Sequence, residues 1–177
     1  MPPTAVTIPP SGEFPNSATL PVLIYRKAFS GDGASAAAIE KRFRANGWQG
    51  TWINGLYTFH HYHSRGHEAL GVSDGWAEVQ LGGPDGATCR LEKGDAIVLP
   101  AGTAHKKIKS GKGFRIVGAY PPAQWPDMNI GKPGERAAAE KVIAALAHPA
   151  TDPVEGPDGP LPRHYAQAGA ASVSSPR

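Results

Sequence analysis

The chain is predicted to be all-β, an antiparallel sandwich or barrel with two peripheral α-helices. Three observations predict it. Between residues 48 and 120, runs of five to eight residues with strand character are separated by turn signals at Asn54-Gly55, Ser73-Asp74-Gly75, residues 82–86, Lys93-Gly94-Asp95 and residues 110–113. Only two stretches have a helical period, too few for alternating β-α units. Glycine and proline are abundant, 22 and 18 of 177 residues, which suits many short strands and tight turns.

Taken in order, residues 1–19 are rich in proline, serine and threonine and read as an extended arm. Leu20 to Phe29 (LPVLIYRKAF) is a β-rich run. Residues 32–46 change period: Ile39 and Phe43 fall four apart among alanines, Asp32 or Ser35 is available as N-cap, and Gly47 stands at the stop. The strand region follows and closes at Pro121-Pro122. Residues 134–148 form the second predicted helix, with Ala138, Val142, Ile143 and Leu146 on one face and Pro149 at its end. From Ala166 the sequence (AQAGAASVSSPR) is low in complexity and is expected to be disordered. The domain plan is an arm at 1–19, one domain at 20–149, and a partly disordered C-terminal extension at 150–177.

Bulk properties exclude several classes. A net charge of +3, scattered along the chain, gives no nucleic-acid footprint, and no DNA-binding helix pair is present. The one cysteine, Cys89, excludes an internal disulfide framework and fits a reducing compartment. It lies in a predicted strand at 87–91 and reads as a small core residue. No apolar run approaches the roughly 18 residues a membrane span needs, and the N-terminus lacks the basic start and apolar core of a signal peptide. The expectation is a cytoplasmic protein.

Two stretches carry the chemistry: GLYTFHHYHSRGHEALGVSDG at 55–75 and GDAIVLPAGTAH at 94–105. If the first begins as a strand, period two puts Tyr57, Phe59, His61 and His63 on one face and Leu56, Thr58, His60 and Tyr62 on the other. Two imidazoles about 6–7 Å apart along a strand can converge on one ion. Glu68 opens the next strand, its face continued by Leu70 and Val72, and His105 follows the turn at Pro100–Gly102. His67 is the rival to Glu68: a turn one residue tighter would make the site all-histidine. Three neutral nitrogens and one carboxylate suit a divalent iron, manganese, nickel, cobalt or zinc ion. His60 points away from this site by parity. Tyr57 and Phe59 read as cavity wall, and the four tryptophans, Trp48, Trp52, Trp76 and Trp125, as core or interface.

The spacing of these residues resembles the two motifs of the cupin superfamily. Gly55, His61, His63, Glu68 and Gly75 stand at the first motif's intervals, and Gly94, Pro100, Gly102 and His105 at those of the second. The resemblance implies a jelly-roll barrel (double-stranded β-helix) over about residues 20–120 and a metal held by His61, His63, Glu68 and His105. The chain also resembles a branch of uncharacterised single-domain bacterial cupins that share the HYHS..HE stretch and a DPVxGxDGPL-type tail, here Asp152 to Leu161. It further implies a homodimer, with the run at 20–29 as a contact or swapped strand. One departure stands out: the second motif usually has Asn four residues after its histidine, and here that position is Lys109. Lys107 and Lys109 share the strand parity of His105, so both are expected to face the cavity and hold an anionic group.

Two functions follow. The first is a metalloenzyme of dioxygenase, isomerase or decarboxylase type, acting on a small and anionic organic molecule inside the barrel. The alternative is a non-catalytic barrel that binds a metal or small molecule. Metal content is the first discriminator, and turnover of small acids the second.

Overall fold

The computed structural model describes residues 1–171, and side-chain surroundings for residues 1–167. Among the described residues nine strands form two antiparallel sheets. Strands β1 (Thr4–Ile8), β2 (Ser17–Tyr25), β3 (Gln49–Asn54), β4 (Glu68–Asp74), β7 (Ala96–Leu99) and β9 (Arg115–Tyr120) make one sheet, in the order β1-β2-β7-β4-β9-β3. Strands β5 (Trp76–Leu81), β6 (Thr88–Glu92) and β8 (His105–Ser110) make the other, in the order β6-β5-β8. Sequence neighbours such as β3 and β4 are separated in the sheet, the crossed connection of a jelly roll.

The alternation of each strand sorts its side chains between two cores. Val22, Ile24, Leu70, Val72, Ile97, Leu99 and Ile116 meet Ala77, Val79, Leu81 and Leu91 of the small sheet and fill the barrel. The intervening residues Leu23, Tyr25, Ala69, Val98, Val117 and Ala119 point to the far side of the large sheet. There they meet Ile39 and Phe43 of helix α1 (Ala36–Ala45) and Leu161 and Tyr165 of helix α3 (Pro160–Ala171). The large sheet is therefore covered on both faces, which is why β4 is buried from Glu68 through Ser73. Gly71 makes the fit of α1 possible, since a Cβ there would lie 2.7 Å from Ile39 Cγ2 and 3.2 Å from the Phe43 ring.

The first predicted helix is present, capped at Ser35, whose side chain accepts from the Ala38 N–H, and followed by Gly47 at φ +85°. Other expectations need correction. The N-terminal arm contributes a strand, because β1 pairs antiparallel with β2 along the sheet edge. β2 begins at Ser17, ends at Tyr25, and pairs on both sides, with β1 and β7. Helix α2 (Glu135–Ala144) stops well before Pro149 and buries Ala139, with Ile143 against the same cluster, while Ala138 and Val142 face solvent. Of the expected stripe Ile143 packs inward, and Ala139 takes the place expected of Ala138. The segment after residue 150 is part of the fold, with Val154, Leu161 and Tyr165 in the core. The helix runs through Ala166, where disorder was expected, to Ala171; the rest of the low-complexity tail, 172–177, lies outside the described residues.

Candidate metal and ligand site

The residues between β3 and β4 are irregular. His61 makes an isolated bridge to His105, and Tyr62 one to Asn129, but no strand runs through 57–63. The expected shared strand face of Tyr57, Phe59, His61 and His63 is therefore replaced by a loop laid across the barrel mouth. Its path is fixed by paired backbone bonds: the His105 N–H donates to His61 O at 2.9 Å, and the Gly102 N–H to His63 O at 2.8 Å. His105 opens β8 and Glu68 opens β4, so four side chains from three segments meet inside one end of the barrel.

The imidazoles of His61, His63 and His105 offer ligand atoms that all lie within 4.8 Å of one another, and all three residues are buried. Glu68 Oε2 lies 3.3 Å from His105 Nε2 and 3.5 Å from His63 Nε2. Each Nδ1 faces a backbone carbonyl: that of Phe59 for His61 at 3.2 Å, of Asp127 for His63 at 2.5 Å, and of Thr103 for His105 at 3.0 Å. A carbonyl only accepts, so each Nδ1 carries the proton and Nε2 faces the centre.

Two buried atoms at that centre, Glu68 Oε2 and His105 Nε2, have no hydrogen-bond partner. Burial and the neighbouring His105 push the His61 imidazole down to about 3, so it is neutral at ordinary pH. Burial also opposes charge on His63, but the Glu68 carboxylate and the Asp127 carbonyl override it and raise that imidazole to about 9. Burial opposes charge on Glu68 as well, yet His63 and His105 hold its carboxyl well below the usual range. The site thus demands a positive charge between Glu68 and the imidazoles. A proton on His63 meets that demand, and a divalent cation would meet it equally.

A second layer of residues sets Glu68. The Tyr120 hydroxyl, at the end of β9, donates to Glu68 Oε1 at 3.0 Å and accepts from Trp52 Nε1 at 2.8 Å. Trp52 can lie there because its cross-strand partner is Gly118, where a Cβ would collide with the indole. Asp127 holds the histidine loop from outside, its carboxylate accepting from the Ser64 N–H and hydroxyl, both at 2.6 Å, and from Asn129 at 2.8 Å. Sequence reasoning missed Tyr120, Trp52 and Asp127. Tyr120 had a signal, its position at a strand end beside the motif strands, whereas Asp127 lies in a loop with no period to place it.

The remaining predicted residues separate. His67 turns away from the centre, accepts the Ala101 N–H on Nδ1 at 3.1 Å and packs on the Tyr165 ring. Burial, together with nearby His148, pushes it down to about 3. His60 likewise lies outside, its ring against Phe14. Tyr57 and Lys107 line a cavity of about 580 Å³ together with the three histidines and Glu68. Phe59 is not part of its wall; the ring is half exposed and stacks on Tyr57 and His61 at the rim. Lys109 faces outward, paired with Glu78 at 3.1 Å. The reason is a bulge: Val79 pairs with Lys107 but Glu78 pairs with Lys109, so Ile108 is an extra residue and parity flips beyond it.

No family model matches the chain. It is 39% identical over 153 residues to the uncharacterized protein YjlB of Bacillus subtilis (strain 168), covering 86% of this chain and 90% of that one. Among solved structures it is similar to acireductone dioxygenase from Bacillus anthracis, solved with a cadmium ion in its active center, at 15% identity and a TM-score of 0.41, over 60% of this chain and 82% of the other. It is also similar to an uncharacterized conserved protein with a double-stranded β-helix domain from Klebsiella pneumoniae, at 16% identity and a TM-score of 0.38, over 74% and 80%. Likenesses this distant carry no argument about reaction or ligand.

Proposed function

The chain belongs to one family with YjlB, and from that premise we propose that it is a cupin, a metal-dependent enzyme acting on a small molecule in the barrel. His61, His63, His105 and Glu68 would hold the ion. The observation that supports this reading is the polarity of the centre: three imidazoles with Nδ1 committed to carbonyls, and the unpartnered Glu68 Oε2 beside them. A divalent ion bound there would supply Lewis acidity toward substrate oxygens. Tyr120 and Trp52 keep the Glu68 carboxylate turned so that Oε1 is engaged and Oε2 is free. The Asp127 backbone carbonyl holds the His63 ring through Nδ1.

The test is elemental analysis of protein purified without added metal or chelator. About one equivalent of a divalent transition metal is expected, and less than about a tenth would overturn the reading, since such a ligand set retains its ion. Loaded protein that consumes no dioxygen and converts no member of a broad panel of small acids would favour a binding role over an enzymatic one. Tyr120→Phe should weaken metal retention about 10–100-fold, read by competition with a chromophoric chelator, with the fold intact by circular dichroism.

A further inference from the structure

Resting on the metal reading above, the unoccupied chemistry of the cavity wall names a class of ligand. The wall's two carboxylates are already committed, Glu68 through Oε1 to Tyr120 and through Oε2 to the ion of that reading, Asp127 to Ser64 and Asn129. Its donors are not. Lys107 lines the cavity and has no carboxylate partner among the described residues, in contrast to Lys109, which Glu78 neutralises. Asn54 spends its side-chain oxygen on the Gly55 N–H, which leaves its amide NH₂ free to donate. With Glu68 given to the ion, a cavity whose remaining free groups are donors favours an anion.

The outer wall has a different character. Ile53, Tyr57 and Met128 line the same cavity while remaining 44%, 54% and 48% exposed. Large apolar side chains gathered at a cavity mouth mark a surface that something apolar covers. We propose that the cavity takes a carboxylate with an apolar body, the carboxylate held by Lys107 and the Asn54 amide, the body lying against Ile53, Tyr57 and Met128. The bulge at Ile108 is what makes this selective, because it leaves one lysine of the strand inside and turns the next one out.

Calorimetric titration of the protein as purified, with octanoate, acetate and octylammonium, tests the proposal. Octanoate should bind, acetate at least about tenfold more weakly, and octylammonium without measurable heat. Lys107→Met should weaken octanoate at least about tenfold, and Tyr57→Ser should weaken octanoate while leaving acetate unchanged. Octylammonium binding as tightly as octanoate, or a Lys107→Met protein that binds octanoate undiminished, overturns the proposal. Metal content read on the same samples keeps the two readings apart. A nearly metal-free protein that still selects octanoate through Lys107 refutes the metal reading alone. A fully loaded protein without that selection refutes this proposal alone.

Discussion

Glu68→Ala should empty the protein of metal, from about one equivalent to below about a tenth, whereas His67→Ala should keep the metal and lose stability instead. The two residues are adjacent in sequence and occupy opposite sides of the large sheet. Glu68 reaches the imidazole cluster, 3.3 Å from His105 Nε2. His67 is 1% exposed, packs against Tyr165 and accepts the Ala101 N–H. Removing its ring leaves a cavity and an unpaired buried donor, about 2–4 kcal/mol of stability by denaturant unfolding. Glu68→Gln keeps the shape of the side chain and an oxygen for Tyr120 but removes the charge, so a fold that survives with its metal lost would place the effect on coordination. Metal retained in Glu68→Ala and lost in His67→Ala would assign the ligand to the wrong residue.

The same pair shows what the sequence made legible. The choice of Glu68 over His67 rests on the motif spacing together with alternation through Leu70 and Val72, and the structure continues that alternation: all three face the barrel interior, while Ala69 faces the far side. Periodicity works wherever a regular strand carries it. In the strand region it failed at two places for one reason, that the chain there is not regular. The segment at 57–63 is a loop, so Phe59 left the wall it was assigned to, and the bulge at Ile108 turned Lys109 outward. The partners of Tyr120 and Asp127, Glu68 and Ser64, are 52 and 63 residues away, so a strand-end position marks Tyr120 without its role and nothing marks Asp127. Contacts at that separation are decided by topology, which a single sequence states only through the family it resembles.

The C-terminal segment carries the largest expected effect on folding: Asp152→Ala should destabilise the protein by about 3–5 kcal/mol, and Tyr25→Phe by about 1.5–3. Asp152 is fully buried. Its Oδ1 accepts the N–H groups of Val154 at 2.8 Å and Glu155 at 3.0 Å, and its Oδ2 accepts the Leu161 N–H at 3.1 Å and the Tyr25 hydroxyl at 2.5 Å. Burial and the adjacent Asp152 carboxylate raise the Tyr25 phenol far above its ordinary range, so it remains a donor. One carboxylate therefore closes the turn after Pro153, satisfies an N–H in the first turn of α3, and ties both to β2. Gly156, Gly159 and Pro160 shape the chain around that carboxylate. Gly156 turns the chain back at φ +82°, Gly159 passes where a Cβ would collide with Asp152, and Pro160 starts the helix that buries Leu161. Deleting the carboxylate strands four donors at once, while deleting the phenol removes one of them, so the double variant should cost little more than Asp152→Ala alone. Urea unfolding monitored by circular dichroism reads all three variants. Additive losses, or an Asp152→Ala protein within about 1 kcal/mol of the parent, would mean that the C-terminal helix is held by its apolar contacts and not by this carboxylate.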